Sequence, residues 1–151
     1  MQGIVEEIYI APEGGAKMAR VAEVEASARS GLSGDRYSER RGCYSGTDEC
    51  QVTLIEAEDL EEISRATGTH VRNGEHRRNL ITRGIKLEDL SGKRFQIGEA
   101  VLEYDRPRPP CSYLQSLTEP GMTRALVGRG GICARVIQSG IIREKDPLTI
   151  L

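Results

Sequence analysis

The chain has 151 residues, of which 38% are hydrophobic, 29% charged and 4% aromatic, so its length predicts one domain over residues 1–151. No apolar run approaches the roughly 18 residues of a spanning helix, which argues against a membrane partner. The 21 basic and 23 acidic residues give a net charge of −2, and tryptophan is absent, so neither charge nor base stacking favours a nucleic-acid partner. The first residues lack the features of a secretory signal, so we expect a cytoplasmic protein with reduced cysteines.

Short apolar runs bounded by glycine predict a mainly β fold of the α+β class, and the chain has 17 glycines for its turns. Residues 3–10 form the first predicted strand, with Ile4, Ile8 and Ile10 on one face and Glu6 as a misfit in the same series. Residues 20–28 alternate cleanly and predict a second strand with a small-residue inner face. Residues 31–37 carry two glycines and predict a loop.

One helix is predicted over residues 56–67, where apolar residues recur at helical spacing, acidic residues lead, and Gly68 can end the helix. The prolines at 107, 109 and 110 exclude residues 107–110 from a central strand, because proline donates no ladder hydrogen bond. Residues 85–92 read as a connector and residues 112–126 as one or two short helices. The remaining predicted strands are residues 51–55, 79–82, 95–98, 100–104, 132–138 and 141–151.

Cys111 follows three prolines and precedes a predicted helix, whose N-terminal partial charge would favour the thiolate over the thiol. Arg106 and Arg108 add positive charge nearby. This context favours a reactive cysteine, while the alternative is a small buried hydrophobe with an inert thiol. Local chemistry leaves both readings open.

Two further segments could bind an anionic ligand. Arg77, Arg78 and Asn79 combine guanidinium groups that match phosphate oxygens with an amide that can pair with a heterocycle edge; the alternative is a solvated strand entrance. Arg129 lies among glycines in residues 128–131, which could form an anion-binding nest, although glycine-rich turns are common.

Other site types find little support in the sequence. The spacings of Cys43 from Cys50 and of Cys111 from Cys133 do not fit a structural zinc site, so Cys43, Cys50 and Cys133 are expected to be packing or surface residues. The two histidines, at positions 70 and 76, lack metal-pair spacing and are expected to be ordinary surface residues. Asp35 and Arg36 are expected to pair or to hold a turn.

Several segments in order resemble the MOSC domain, named after the C-terminal domain of molybdenum cofactor sulfurases. They are residues 31–36, 78–85, 90–92, 95–100, Pro110-Cys111 and 129–136. The resemblance covers the whole chain and implies a stand-alone member with a β-barrel and a few short helices. The family often has Gly-Asp near its end, whereas Lys145 precedes Asp146 here, so we expect a changed turn without loss of the fold.

The resemblance also implies a function. In the family the cysteine matching Cys111 carries sulfur for the molybdenum centre or ligates molybdenum, and both roles need a thiolate. Arg77 and Asn79 match an Arg-x-Asn element that helps to hold the pterin, and Arg78 and Arg129 are expected to assist. The chain is thus expected to bind the molybdenum cofactor (molybdopterin), with Cys111 as catalytic residue and metal ligand. Pyridoxal phosphate belongs to a domain that sulfurases carry in addition and is not expected here.

Three functional readings remain open. The first is a carrier or sulfur-transfer protein in cofactor sulfuration or delivery, with a sulfur donor or cysteine desulfurase as partner. The second is a component of a molybdenum-dependent reductase of N-hydroxylated compounds, which needs redox partners that this chain does not contain. The third, from another class, is a non-catalytic module that docks a cofactor-biosynthesis or desulfurase enzyme, with Cys111 as a structural residue.

Overall fold

The computed structural model describes residues 2–13, 15–36, 50–68, 74, 76–108 and 129–151. Within these ranges the chain forms strands, one α-helix and one turn of 3-10 helix (Leu87–Leu90). In chain order the other elements are β1 (Gln2–Ile10), β2 (Ala19–Val21), β3 (Glu23–Ser27), β4 (Gly31–Leu32), β5 (Val52–Glu56), α1 (Ala57–Thr67), β6 (Leu80–Arg83), β7 (Arg94–Ile97), β8 (Ala100–Pro107), β9 (Ile132–Gln138), β10 (Gly140–Arg143) and β11 (Pro147–Ile150).

Seven strands close into a barrel in the order β11-β7-β8-β9-β5-β6-β1, because β11 also pairs with β1. β5 and β6 are parallel, and α1 supplies the crossover that parallel neighbours require. β2 extends the sheet beyond β1, and β10, β3 and β4 form a separate small sheet. The predicted mainly β barrel of the α+β class is confirmed.

Two apolar cores stabilise this arrangement. The barrel interior contains Leu54, Leu80 and Phe95, all without solvent exposure. The second core lies between α1 and the outer face of the barrel, where Leu60 and Ile63 pack against Ile55 and Ile81 in a separate cluster. None of the helices in the described ranges has the length and apolar character needed to cross a membrane.

The first strand differs from its predicted pattern because it contains a bulge. The pairing of β1 with β6 shifts between Val5 and Glu7, which leaves Glu6 as an extra residue. As a result Val5 and Ile8 both face the barrel interior, whereas Ile4 is 39% exposed. The prediction that Ile4 shares the inner face of Ile8 is wrong, and the bulge explains the misfit at Glu6.

The other elements follow the sequence prediction with local changes. The helix matches its predicted range within one residue and ends at Gly68, whose φ of 72° is left-handed. The strand predicted over residues 20–28 is divided at Ala22, and the loop predicted over residues 31–37 begins with the short strand β4. The last predicted strand is divided into β10 and β11 by a turn in which Lys145 has a φ of 76°.

Pro107 corrects one prediction, because it is the last residue of β8 and pairs with Ile132 in β9. β8 lies between β7 and β9, but β7 pairs no further along β8 than Glu103. The Arg108 N–H donates to Gly131 O (2.9 Å), so the nitrogen of Pro107 faces the side where β7 has ended. A proline is tolerated there because no ladder hydrogen bond is lost.

Candidate functional site

The predicted Arg77-Arg78-Asn79 element lies directly before β6 and is buried. Arg77 and Arg78 are 8% and 5% exposed and Asn79 is not exposed, so the alternative of a solvated strand entrance is wrong. Asn79 Oδ1 accepts from the backbone N–H and the hydroxyl of Thr53, both at 3.0 Å, and Asn79 Nδ2 donates to Tyr9 O at 3.0 Å. Asn79 therefore ties together β1, β5 and the start of β6.

Arg77 has a strained backbone that its neighbours hold in place. Its φ of 59° lies in the left-handed region, which is uncommon for a residue with a side chain. Its carbonyl accepts from Arg36 Nη2 at 3.0 Å, and its own Nη1 donates to Ala16 O at 2.6 Å. These bonds orient the backbone immediately before Arg78.

Asp35 and Arg36 form the buried ion pair that supports this segment. Arg36 Nη1 lies 3.0 Å from Asp35 Oδ1, and the same oxygen accepts the Ala11 N–H at 3.0 Å. The side chains of both residues are nearly or fully buried. The ion pair confirms the first of the two expected roles, pairing, and Arg36 also reaches across to the Arg77 carbonyl.

Arg78 joins two strand ends. Its Nε donates to Gly130 O at 2.6 Å and its Nη2 donates to Arg108 O at 3.3 Å. Arg108 and Arg129 are the described residues on either side of residues 109–128, and Gly130 follows Arg129. Arg78 thus fixes the positions from which the chain leaves β8 and returns to β9.

Cys111 and the helices predicted over residues 112–126 lie outside the described residues, as do Cys43 and His70. The ligand-binding roles of Cys111, Arg77, Arg78, Asn79 and Arg129 stay predictions.

A cavity of about 450 Å³ opens at one end of the barrel beside those strand ends. Pro107 from β8 and Arg129 before β9 both border it, so it adjoins each end of residues 109–128. Its volume lies within the range of small-molecule sites. Charged groups from three other elements complete the lining together with apolar atoms: Glu56, Asp59, Lys86, Leu87, Glu88, Tyr104, Gly131 and Ile132.

Burial alters the acidity of three groups in this cavity. Loss of hydration raises the pKa of Glu56, although the N–H of Leu87, which donates to Glu56 Oε2 at 3.2 Å, acts in the opposite direction. Burial also raises the pKa of Asp59 against the influence of Arg129, and raises that of Tyr104. The two carboxyl groups therefore hold protons more readily than exposed ones do.

The substitution Glu56→Gln is expected to raise stability at neutral pH by less than about 1 kcal/mol, because the group is half-buried and screened. A carboxyl group with a raised pKa in the folded state stabilises the protein while protonated, and that contribution is lost as pH rises through the folded pKa. Urea unfolding measured from acidic to neutral pH should show a smaller decline of stability with rising pH for the variant than for wild type. Glu13→Gln, on an exposed turn, is the control; an unchanged pH profile in Glu56→Gln would contradict the expectation.

Cys50 and Cys133 are free and buried cysteines. The Cys50 thiol donates to Val52 O at 3.6 Å. Of the two expected alternatives, packing and surface residues, their burial supports packing.

His76 is not the surface residue expected from the sequence. It has no solvent exposure, and its ring meets that of Tyr9 edge to face with centroids 5.2 Å apart. Its Nδ1 accepts the Arg78 N–H at 2.9 Å. His76 therefore helps to set the backbone of Arg78, which no local sequence pattern indicates.

Sequence reasoning also missed the cavity carboxyl groups. In the sequence Glu56 and Asp59 mark only the start of the helix, and they come to lie beside β8 and β9 only when the barrel closes. No group of three or more potential metal-ligating side chains occurs within the described ranges.

Comparison with known proteins gives a family and several structural neighbours. Residues 41–149 match the family model described as the MOSC domain. No curated protein matches the chain. Solved structures with a similar fold include YuaD from Bacillus subtilis (19% identity, TM-score 0.81, covering 99% of this chain and 96% of that one) and YiiM from Geobacillus stearothermophilus (21%, 0.76, 100% and 75%). YiiM from Escherichia coli is also similar (22%, 0.70, 100% and 70%).

Proposed function

Because the chain belongs to the MOSC domain family, which suggests a function related to the molybdenum cofactor, we propose that it binds this cofactor or a molybdenum–sulfur precursor through Cys111. It acts as a carrier or sulfur-transfer protein in cofactor sulfuration or delivery, or within a molybdenum-dependent reductase system. The observation that carries the proposal is the cavity whose lining includes Pro107 and Arg129, one on each side of the segment that contains Cys111.

The described lining of the cavity fits such a cofactor chemically. Lys86 and Arg129 supply positive charge for a phosphate, and the carboxyl groups of Glu56, Asp59 and Glu88 can accept from the N–H donors of a pterin. A phosphorylated pterin carries an anionic phosphate and a ring with N–H donors. A site with only one sign of charge would bind only one of these two parts. The mixed lining supports a ligand that carries both kinds of group.

The residues around the cavity have separate tasks in this proposal. Arg78 bonds the carbonyls of Arg108 and Gly130 and so positions both ends of the cysteine-bearing segment. Arg129 already contacts Glu62 at 3.3 Å on the surface, and binding an anion would exchange this exposed ion pair for a phosphate.

The sulfur chemistry follows from Cys111. A thiolate is a soft ligand that suits molybdenum, and a nucleophilic thiolate can hold a transferred sulfur atom as a persulfide. The bound cofactor would supply the redox-active metal centre. Arg77 and Asn79 bond Ala16, Thr53 and Tyr9 and so hold Arg78, which lies between them.

Replacement of Cys111 by Ser is expected to lower the amount of bound molybdenum or sulfane sulfur. Wild type, Cys111→Ser and the matched control Cys43→Ser would be purified from molybdenum-replete cells and assayed for molybdenum, pterin and sulfane sulfur. We expect at least one of the three in wild type and in Cys43→Ser, and at least a tenfold loss of bound molybdenum or sulfane sulfur, equivalent to about 1.4 kcal/mol of binding free energy, in Cys111→Ser.

Equal loading of the two variants would contradict the role of Cys111. Absence of all three species from wild type, even after cofactor is supplied in vitro, would contradict the proposal as a whole. Thiol-reactivity measurements distinguish the proposal from the docking alternative, under which Cys111 reacts no faster than Cys43. The reductase alternative expects turnover of an N-hydroxylated compound when an electron donor is supplied.

A further inference from the structure

A buried histidine lies just before β6, outside the described lining of the cavity. His76 has no solvent exposure, and the edge-to-face contact with the ring of Tyr9, with centroids 5.2 Å apart, restricts the orientation of its imidazole. Its Nδ1 accepts the N–H of Arg78 at 2.9 Å. A ring nitrogen that accepts a hydrogen bond carries no proton, so His76 is a neutral imidazole in this arrangement.

His76 and Arg78 close a turn around Arg77. In an Asx-turn the side-chain oxygen of Asn or Asp accepts the N–H two residues further along the chain, and here Nδ1 of His76 takes the place of that oxygen. Arg77 lies inside the turn with a φ of 59°, and its N–H donates to Gly74 O at 3.0 Å. A left-handed residue persists only where its surroundings hold it, and the imidazole supplies part of that support.

Arg78 carries this constraint to the two strand ends at the cavity. Its Nε donates to Gly130 O at 2.6 Å, its Nη2 donates to Arg108 O at 3.3 Å, and its Nη1 donates to His76 O at 3.5 Å. The sequence neighbours of Arg108 and Gly130 that border the cavity are Pro107, Arg129 and Gly131. A shift of the Arg78 backbone would therefore change the position of both cavity walls.

We propose that His76 is a positioning residue for this cavity. Its acceptor nitrogen sets the backbone of Arg78, and Arg78 sets the two walls through the carbonyls of Arg108 and Gly130. His76 thus acts on a ligand only through Arg78. The identity of that ligand rests on the proposed function, whereas the positioning of the walls rests on the hydrogen bonds alone.

Substitution separates the acceptor of the imidazole from its bulk. Asn keeps a side-chain acceptor suited to an Asx-turn but loses most of the ring that contacts Tyr9. Leu keeps apolar volume in the interior but has no acceptor, so the bond to the Arg78 N–H is lost. A residue that only fills space would tolerate Leu better than Asn. A positioning residue tolerates Asn better than Leu.

Amide hydrogen exchange, resolved by NMR, tests the positioning without any ligand. The Arg108 N–H donates to Gly131 O at 2.9 Å and so reports on the two strand ends that Arg78 joins. In His76→Leu we expect the amides of Arg78 and Arg108 to exchange at least about tenfold faster than in wild type, and in His76→Asn by less than about threefold. Amides in the pairing of β3 with β10 serve as the reference for global stability.

Ligand loading tests the connection with the site. Wild type, His76→Leu and His76→Asn would be purified from molybdenum-replete cells and assayed for molybdenum and pterin per folded protein. We expect a loss of about tenfold in His76→Leu and of less than about threefold in His76→Asn. The control is Val24→Ala, a core change in β3 of the small sheet, which lowers stability and should load as wild type does.

The two measurements fail in different ways. Wild type that carries no cofactor would contradict the proposed function, and exchange would still decide whether His76 positions the cavity walls. The inference is overturned if Arg108 exchanges equally fast in His76→Leu and wild type, if these two load equally, or if His76→Asn is impaired more than His76→Leu. Should the leucine variant not fold, His76→Gln replaces it, because its acceptor lies one bond farther from the backbone.

Discussion

The substitution Asp35→Asn is expected to lower the free energy of unfolding by about 3–5 kcal/mol, the usual cost of removing one partner of a buried ion pair. The amide oxygen of Asn could still accept the Ala11 N–H, so the loss arises mainly from the buried guanidinium of Arg36, whose Nη1 lies 3.0 Å from Asp35 Oδ1. Urea unfolding followed by circular dichroism, with Cm and m fitted together, measures the effect.

A double-mutant cycle supplies the control. Asp35→Asn/Arg36→Met removes both charges and should be less destabilised than the sum of the two single variants, because the residues are in contact. Additive single effects, or a loss below about 1 kcal/mol for Asp35→Asn, would show that the pair does not carry the stability assigned to it. A solvent-exposed pair such as Arg20 and Glu144 should give a coupling below about 1 kcal/mol.

The ion pair connects stability with the candidate site. Arg36 donates to the carbonyl of Arg77, whose φ of 59° needs support from its surroundings. Relaxation of that residue would move the backbone of Arg78, which bonds Arg108 and Gly130. A charged pair at residues 35 and 36 thus positions residues far along the chain.

Strands and the helix were predictable wherever one face of the element is buried and the other exposed. α1 is the clearest case, because Leu60 and Ile63 cover the barrel while a left-handed Gly68 ends the helix. β1 shows the limit of such patterns, since the bulge at Glu6 changes the phase of alternation without a glycine or proline to mark it. Pro107 was excluded from a central strand because proline donates no ladder hydrogen bond, and the sequence does not show that β7 has ended before this position.

The candidate site was predictable only where its chemistry lies within a short stretch. Arg77, Arg78 and Asn79 are adjacent in sequence, and their residue types alone indicated a polar site. The cavity arises from the pairing of β5 with β9, a contact between residues far apart in the chain. Ile132 lines the cavity on one face of β9, and Cys133 lies on the other face of the same strand.

Gly131 lies where these features meet, and Gly131→Ala is expected to lower the free energy of unfolding by about 2–5 kcal/mol. A Cβ at this position would collide with the carbonyl oxygen of Leu54 in β5, and it would lie 2.9 Å from the carbonyl carbon of Leu54 and 3.2 Å from Ile55 Cα. These are backbone atoms of a barrel strand and cannot move without disturbing the sheet. The φ of 86° adds strain for any residue with a side chain.

The control variants Gly68→Ala and Gly92→Ala separate the two contributions. Both positions have a left-handed φ but no atom within 4 Å of the added Cβ, so each should cost only about 1–2 kcal/mol. A Gly131→Ala variant no less stable than these two would mean that β5 and β9 can separate easily at the edge of the cavity. The larger loss that we expect would instead establish that the close approach of Gly131 to Leu54 holds the start of β9, and with it Arg129 and Gly130, against the barrel.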